Sequence, residues 1–403
     1  MSKILIISAA FPPEPVVSAL LSRDLAEELA KNNKVTVLSP KPTRPEGFHF
    51  DKEYDPENYK VIRLNSYTCP ASKMIGRLRE SYSFGKHCAS YIKDNPNTID
   101  CIYLNSWPLF SQYLIVKAAM KFNIPLIVHV QDIYPESLLN KIIQGKSLLY
   151  KLLLPIDKYV LKNSTSIIAI SENMKRILVR TRNLSPEKIA VIANWQNEED
   201  FIKYRNIKLK KENDFSEPFT FMYLGNNGPL AGVEFLIKSF VQANISNSKL
   251  IIAGSGSRKN TCIELANSLN AKNIDFIQVP EGKVPSVQDK ADVMLLSVKK
   301  NGAMSSIPSK LPAYMFSAKP IIGSLDLDSD TTKAIKDSDC GIVVEPENEI
   351  ALINTLKEAS KWSKQTRMKK GNDGFEYAMI NFSKNTNLPR LTSILKRTIV
   401  DEK

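Results

Sequence analysis

Twice along this chain, short unbroken apolar runs alternate with longer stretches whose apolar residues recur at helical spacing. That alternation narrows the fold more than any other feature. In the first half the runs are 4–9, 34–38, 102–104, 125–130, 164–171 and 188–194. Between the first two, Leu21, Leu25 and Leu29 recur every four residues, one face of a helix. Continuous β-branched strands are buried on both faces, which suits a parallel sheet covered by helices on both sides. Between Asn197 and Pro218 the pattern lapses into charge, as in Lys208-Leu209-Lys210-Lys211-Glu212. It restarts with runs at 219–224, 249–253, 274–277, 292–296 and 341–344. The expectation is an α/β chain of two doubly wound domains, 1–205 and 206–380, followed by a charged helical tail at 381–403. A length of 403 residues suits two cores better than one.

Several classes of protein are set aside by what the sequence lacks. No run approaches 18 apolar residues, so no membrane-spanning helix is expected, and the apolar part of residues 1–8 is too short for a secretory leader. Five scattered cysteines form no Cys-x-x-Cys pair, and three histidines show no ligand spacing. Reduced packing thiols in a cytosolic protein, with no metal site, are the expectation. The net charge of +13 is uneven: residues 137–182 hold nine Lys or Arg against two acids. There Lys141, Lys146, Lys151 and Lys158 alternate with Leu, Ile and Tyr. Such a stretch is either a helix resting on an anionic bilayer or a core helix with a solvated basic rim. A second, weaker stretch of the kind spans 73–79. No motif of nucleic-acid recognition accompanies the charge.

Ligands of open α/β sheets bind beyond the carboxyl ends of the strands. Three small, polar loops leave strands there: Gly225-Asn226-Asn227-Gly228, Gly254-Ser255-Gly256-Ser257 and the loop 305–310. Glycines let a ligand approach the backbone, and free N–H groups can hold phosphate. Neither glycine loop carries the dinucleotide fingerprint or the P-loop lysine. If Ser309 caps the following helix, Pro312 falls in its first turn and Lys310 sits against the helix dipole. A bound anion would resolve that conflict; an exposed lysine at an ordinary helix start is the alternative. In the first half, Asp132 and Glu136 leave the end of one buried run together. They can serve as general base, hold sugar hydroxyls, or cap a helix. His129 reads as a packed residue. Phe11-Pro12-Pro13-Glu14-Pro15 is either a binding lip or a turn.

Taken in order, these residues resemble glycosyltransferase family 4, the retaining nucleotide-sugar transferases of GT-B fold. The likeness spans nearly the whole chain. It begins at Phe11-Pro12-Pro13-Glu14 and runs through Asp132-Ile133-Tyr134-Pro135-Glu136-Ser137, Pro186-Glu187-Lys188-Ile189 and Asn194-Trp195. It continues in both glycine loops and in Ile307-Pro308-Ser309-Lys310-Leu311 with Lys319-Pro320. The Asp132–Ser137 block is similar to that of a bacterial O-antigen and capsule branch that includes fucosamine transferases.

The resemblance implies two Rossmann-like domains facing a central cleft, with the tail packed back on the N-terminal one. The C-terminal domain would bind a nucleotide-sugar donor, UDP-linked by expectation. Lys310 would neutralise the diphosphate, helped by Ser309, Asn226, Asn227 and Gly228, with Gly254, Ser255 and Gly256 near the nucleoside. The N-terminal domain would bind a polyprenyl-diphosphate-linked saccharide. Asp132 and Glu136 would join Lys310 in catalysis, and Glu14, Lys141, Lys151 and Lys158 would face acceptor and membrane. Neither cofactor nor metal is implied, and the expected place is the cytoplasmic face of the cell membrane. Four positions depart from the family pattern. Ser305 and Ala313 stand where two glutamates are usual, and Val16-Val17 stands where Gly-Gly is. Asn226 and Leu230-Ala231-Gly232 replace an Arg and a Lys, and Gln131 replaces a histidine. A GT-B nucleotide-sugar epimerase and a catalytically silent nucleotide-sugar-binding subunit are the rival readings.

Overall fold

A computed structural model describes residues 1–44, 50, 54–70, 74–105, 109–139, 146–208, 218–300, 302 and 307–401. The chain divides into two compact units, Met1–Asn194 with Asn387–Lys403, and Trp195–Thr386.

Unit 1 contains strands β1 (Lys3–Ile7), β2 (Lys34–Pro40), β3 (Lys60–Leu64), β4 (Cys101–Asn105), β5 (Leu126–Val130), β6 (Ser166–Ala169) and β7 (Ile189–Val191). Among the described residues they form one parallel sheet in the order β3-β2-β1-β4-β5-β6-β7. Unit 2 contains β8 (Phe219–Leu224), β9 (Ser248–Ala253), β10 (Ile274–Ile277), β11 (Val293–Ser297), β12 (Ile321–Ser324) and β13 (Gly341–Val344). These pair, all parallel, in the order β10-β9-β8-β11-β12-β13. Strand order reverses between β1 and β4 in unit 1 and between β8 and β11 in unit 2. Such a reversal parts the loops on either side and opens a ligand crevice at the carboxyl edge.

Period-two alternation explains the burial. Leu5 and Ile7 join Ile102, Leu104, Leu126 and Val128 in one apolar cluster, whereas Ile4, Ile6, Tyr103 and Ile127 are buried outside it. The edge strand β3, Lys-Val-Ile-Arg-Leu, lacks a continuous apolar run and went unrecognised in the sequence pattern.

The boundary expected at 205 falls inside the helix Glu199–Lys208. Its Phe201 is buried in unit 2, with its ring centroid 5.8 Å from that of Phe316. Phe201, with the Tyr204 hydroxyl on Asp289 and Arg205 on Asn372, holds within unit 2 a helix whose polar sequence reads as a linker. At the other end, the helix Lys384–Asp401 crosses into unit 1, where Asn387 Nδ2 donates to the Ala193 carbonyl at 3.1 Å. Its start is held within unit 2 by the buried Glu198, whose carboxylate accepts from the Lys384 and Asn385 amides and the Ser383 hydroxyl. Among the described residues no helix is long and apolar enough to cross a membrane.

Candidate functional site

The switch point of unit 2 is built from three pieces of chain. The loop after β8 and the loop after β9 are laced together: the Asn227 amide donates to the Ser255 carbonyl at 2.8 Å, and the Arg258 amide to the Asn227 carbonyl at 2.9 Å. A side chain on Gly256 would meet Asn226 Oδ1 at 2.4 Å and the Asn227 amide at 2.6 Å, so only glycine lets the two loops lie this close. Asn227 is therefore part of the lacing. Its amide nitrogen is spent on Ser255, and its side chain is fully buried with neither polar atom partnered among the described residues.

The third piece is the helix Lys310–Phe316. Tyr314, fully buried, donates its hydroxyl to the Leu224 carbonyl at 2.8 Å and accepts from the Leu224 amide at 2.9 Å. That pair of bonds ties the helix to the end of β8. Lys310 then crosses directly over Gly225, where a Cβ would sit 2.1 Å from Lys310 Cε. Its Nζ lies 5.4 Å from the centroid of the Tyr223 ring, whose hydroxyl donates to the Asn226 carbonyl at 2.8 Å. Among the described residues Lys310 has no carboxylate partner, and burial lowers its pKa from the usual lysine value. A half-buried ammonium without a carboxylate partner favours whatever anion can reach it.

Ser309 corrects one expectation. It adopts helical dihedrals, φ −59° and ψ −14°, and its side chain makes no capping bond. The exposed hydroxyl does not stabilise the helix end as the spacing suggested. With seven residues the helix has a modest dipole, so the charge of Lys310 dominates. Pro312 does fall in the first turn, and Leu311 and Met315 are both fully buried. Ser305 lies outside the described residues. Ala313 is buried, with no carboxylate in its place.

In unit 1, Asp132 is exposed just beyond β5. Glu136 opens the short helix Glu136–Leu139, and both its oxygens are bound by Arg182, from Nη1 and Nη2 at 2.6 Å each. Arg182 is fully buried, gives Nε to Asp157 Oδ2 at 2.8 Å, and donates to the Tyr134 carbonyl. Burial pushes the Asp157 carboxyl up to about 6 against the pull of Arg182, which Glu136 shares. Burial alone would lower the Arg182 pKa; its two carboxylates outweigh that and raise it. Glu136 is thus one arm of an ion-paired brace. Sequence reading missed Arg182 entirely.

Glu14 needs a second correction. Instead of lining a surface it is 2% exposed, its Oε1 accepting from the Thr43 and Arg44 amides at 2.8 and 2.9 Å. It pins the loop after β2. Lys141 lies outside the described residues. Lys151 is exposed and Lys158 half-buried on the helix Lys146–Asn163, where Leu148 and Leu152 are 68% and 61% exposed. His129 is packed, sharing a 2.5 Å hydrogen bond between its Nδ1 and the Tyr103 hydroxyl. Among the described residues no group of three or more His, Cys, Asp or Glu could hold a metal ion.

Comparison with known proteins follows the division into units. Residues 21–199 match the family described as Glycosyltransferase Family 4, and residues 205–374 the family described as Glycosyl transferases group 1. An uncharacterised glycosyltransferase of Methanocaldococcus jannaschii is 29% identical over 198 residues, 41% of this chain and 49% of its own. The O-antigen chain mannosyltransferase RfbU of Salmonella typhimurium is 27% identical over 167 residues, 37% of this chain and 42% of its own. The chain thus spans about half the length of the curated relatives it matches. Sucrose-phosphate synthase from Thermosynechococcus elongatus shares the fold, with a TM-score of 0.76 over 100% of both chains at 15% identity.

Proposed function

From a chain that belongs to the glycosyltransferases, with a family 4 domain before a group 1 domain in a GT-B fold, we propose a retaining transferase. It moves a sugar from a nucleoside-diphosphate donor, UDP-linked in the first instance, to a polyprenyl-diphosphate-linked saccharide of a cell-surface polysaccharide. The observation that carries the reading is Lys310, a half-buried ammonium with no carboxylate partner among the described residues, laid across Gly225 at the strand-order switch of unit 2. A donor diphosphate is the anion it awaits. As the bond from anomeric carbon to phosphate oxygen breaks, negative charge grows on the departing diphosphate, and Lys310 stabilises it. The acceptor hydroxyl bonds to the same face of the sugar and its proton passes to the departing phosphate. No protein base is then needed for that step.

Asn226, Gly228, Ser309 and the Gly254–Gly256 loop are the donor's remaining contacts in this reading, and Asp132 is the acceptor-side carboxylate. An aminosugar such as an N-acetylated fucosamine is the narrower form of the proposal. The exposed Leu148 and Leu152 beside Lys151 support docking on anionic lipid, as do Ile75, Leu78 and Tyr82, exposed on the helix Met74–Asp94. The test is a thermal-shift screen against UDP-, GDP- and dTDP-sugars, followed by product analysis with and without acceptor. One donor should stabilise the wild type by mass action and fail to stabilise Lys310→Ala. That variant should lose transfer by at least about a hundredfold, the usual scale for a lost oxyanion partner. Wild-type turnover by Lys310→Ala would sink the reading, and donor interconversion without acceptor would replace it with an epimerase.

A further inference from the structure

Unit 2 has a pocket at the end of the sheet away from the glycine loops. Its walls include Asp292 and Pro320, which precede β11 and β12, so it opens at the amino edge of a parallel sheet. The volume is about 140 Å³. An apolar protein cavity of about 150 Å³ accommodates a benzene-sized molecule. Phe201, Phe316 and Met368 supply apolar walls, and Tyr204, Arg205 and Asn372 supply polar ones.

The charges in the pocket do not cancel. Asp289 is matched by Lys319 at 3.2 Å and accepts from the Tyr204 hydroxyl at 3.1 Å; Asp292 is matched by Arg367 at 3.5 Å. Arg205 remains. Its guanidinium stacks 4.3 Å from the Phe375 ring centroid and donates from Nη2 to Asn372 Oδ1 at 3.1 Å. Among the described residues it forms no ion pair, although the charge of Glu376 acts on it and partly offsets the lowering of its pKa by burial. Of the residues that line the pocket, three are cations and two are carboxylates, so Arg205 faces it without a carboxylate of the lining bound to it. A dianion such as phosphate would be opposed by Asp289 and Asp292. A planar carboxylate matches the guanidinium fork.

We propose that this pocket is a binding site for a small aromatic carboxylate, its anionic head on Arg205 and its ring against Phe201, Phe316 and Met368. An occupant would bear on Phe316, Ser317 and Ala318, the far end of the seven-residue helix that begins at Lys310, about 10 Å away. That end is tightly fitted: a Cβ on Gly371 would meet the Ala318 carbonyl at 2.0 Å. Occupancy is therefore expected to alter donor affinity, a consequence that rests on the donor reading above.

The test uses the full chain and melting temperature, with benzoate as the probe and benzyl alcohol and inorganic phosphate as controls. Benzoate alone should give a saturable rise of a few degrees. Arg205→Gln should abolish it. So should Met368→Trp, which fills the pocket from an exposed rim position without touching a charge, and whose own melting curve reports folding. No rise with benzoate, an equal rise with either control, or a rise retained in Met368→Trp would overturn the proposal. Since this arm contains no nucleotide, its failure is separate from a failure of the donor reading. A second arm measures UDP-glucose affinity with and without saturating benzoate; an unchanged affinity would overturn the coupling.

Discussion

Arg182 shows how a single residue can recast its neighbours. A fully buried guanidinium with one carboxylate on each side is a brace, and most of its energetic consequence appears when it is broken. Arg182→Leu leaves Asp157 buried without its cation and unties Glu136 from the loop that carries Asp132. We expect a loss of about 3–5 kcal/mol, read from the urea midpoint at unchanged m-value. A loss under about 1 kcal/mol would place the pair among exposed ion pairs of little worth. The sequence shows the two carboxylates four residues apart and so suggests chemistry at both. It hides the guanidinium, which stands 46 residues further on and reaches Glu136 only once the helix Glu172–Arg182 is docked. Lys310 stands out in the sequence for the opposite reason, because its conflict with the helix start is local; its approach to Gly225 is long-range and shows only in the fold.

At the scale of elements, the helix Lys146–Asn163 bears on two readings that the sequence left open, and a vesicle experiment tells them apart. A core helix with a basic rim accounts for Lys151 but not for Leu148 and Leu152, which lie on the same exposed face with Pro155. Apolar and cationic side chains sharing one solvent-facing stripe suit an interfacial helix. Lys151→Glu with Lys158→Glu should weaken sedimentation with vesicles containing anionic lipid and leave binding to neutral vesicles as it was, at about 1 kcal/mol per cation near the surface. Binding that ignores both charge reversals would remove the lipid reading.

A second element-scale prediction concerns Glu198. Glu198→Ala deprives the Lys384 and Asn385 amides and the Ser383 hydroxyl of their shared acceptor. About 1–3 kcal/mol of stability should go with them, by chemical denaturation. The edge strand β3 and the helix Glu199–Lys208 were illegible because each is too polar for its period to show. Their places are set by pairing with β2 and by the contacts of Phe201, Tyr204 and Arg205, all long-range facts.

The whole molecule is where the sequence read best, because a doubly wound sheet needs continuous apolar strands and those runs are local. The cost of such a sheet is that any ionisable group within a strand is sealed in, and His129 is one. It lies fully buried in β5, its Nδ1 on the Tyr103 hydroxyl and its Nε2 without a partner among the described residues. Burial pulls its pKa down to about 3. In the unfolded chain the imidazole takes its proton near 6.5. Between those values the unfolded state binds more protons than the folded one, so stability rises with pH. The contribution is complete above pH 6.5 and is lost progressively as pH falls toward 3. Each unit within that window costs about 1.4 kcal/mol, so a shift from pH 6.5 to 5 should remove about 2 kcal/mol through this residue. His129→Gln, which keeps a partner for Tyr103, should flatten the stability curve over that interval relative to the wild type. Parallel curves for the two proteins, followed by urea unfolding at half-unit steps, would show that the imidazole gains its proton without opening the sheet. The burial seen at β5 would then not be what sets its charge.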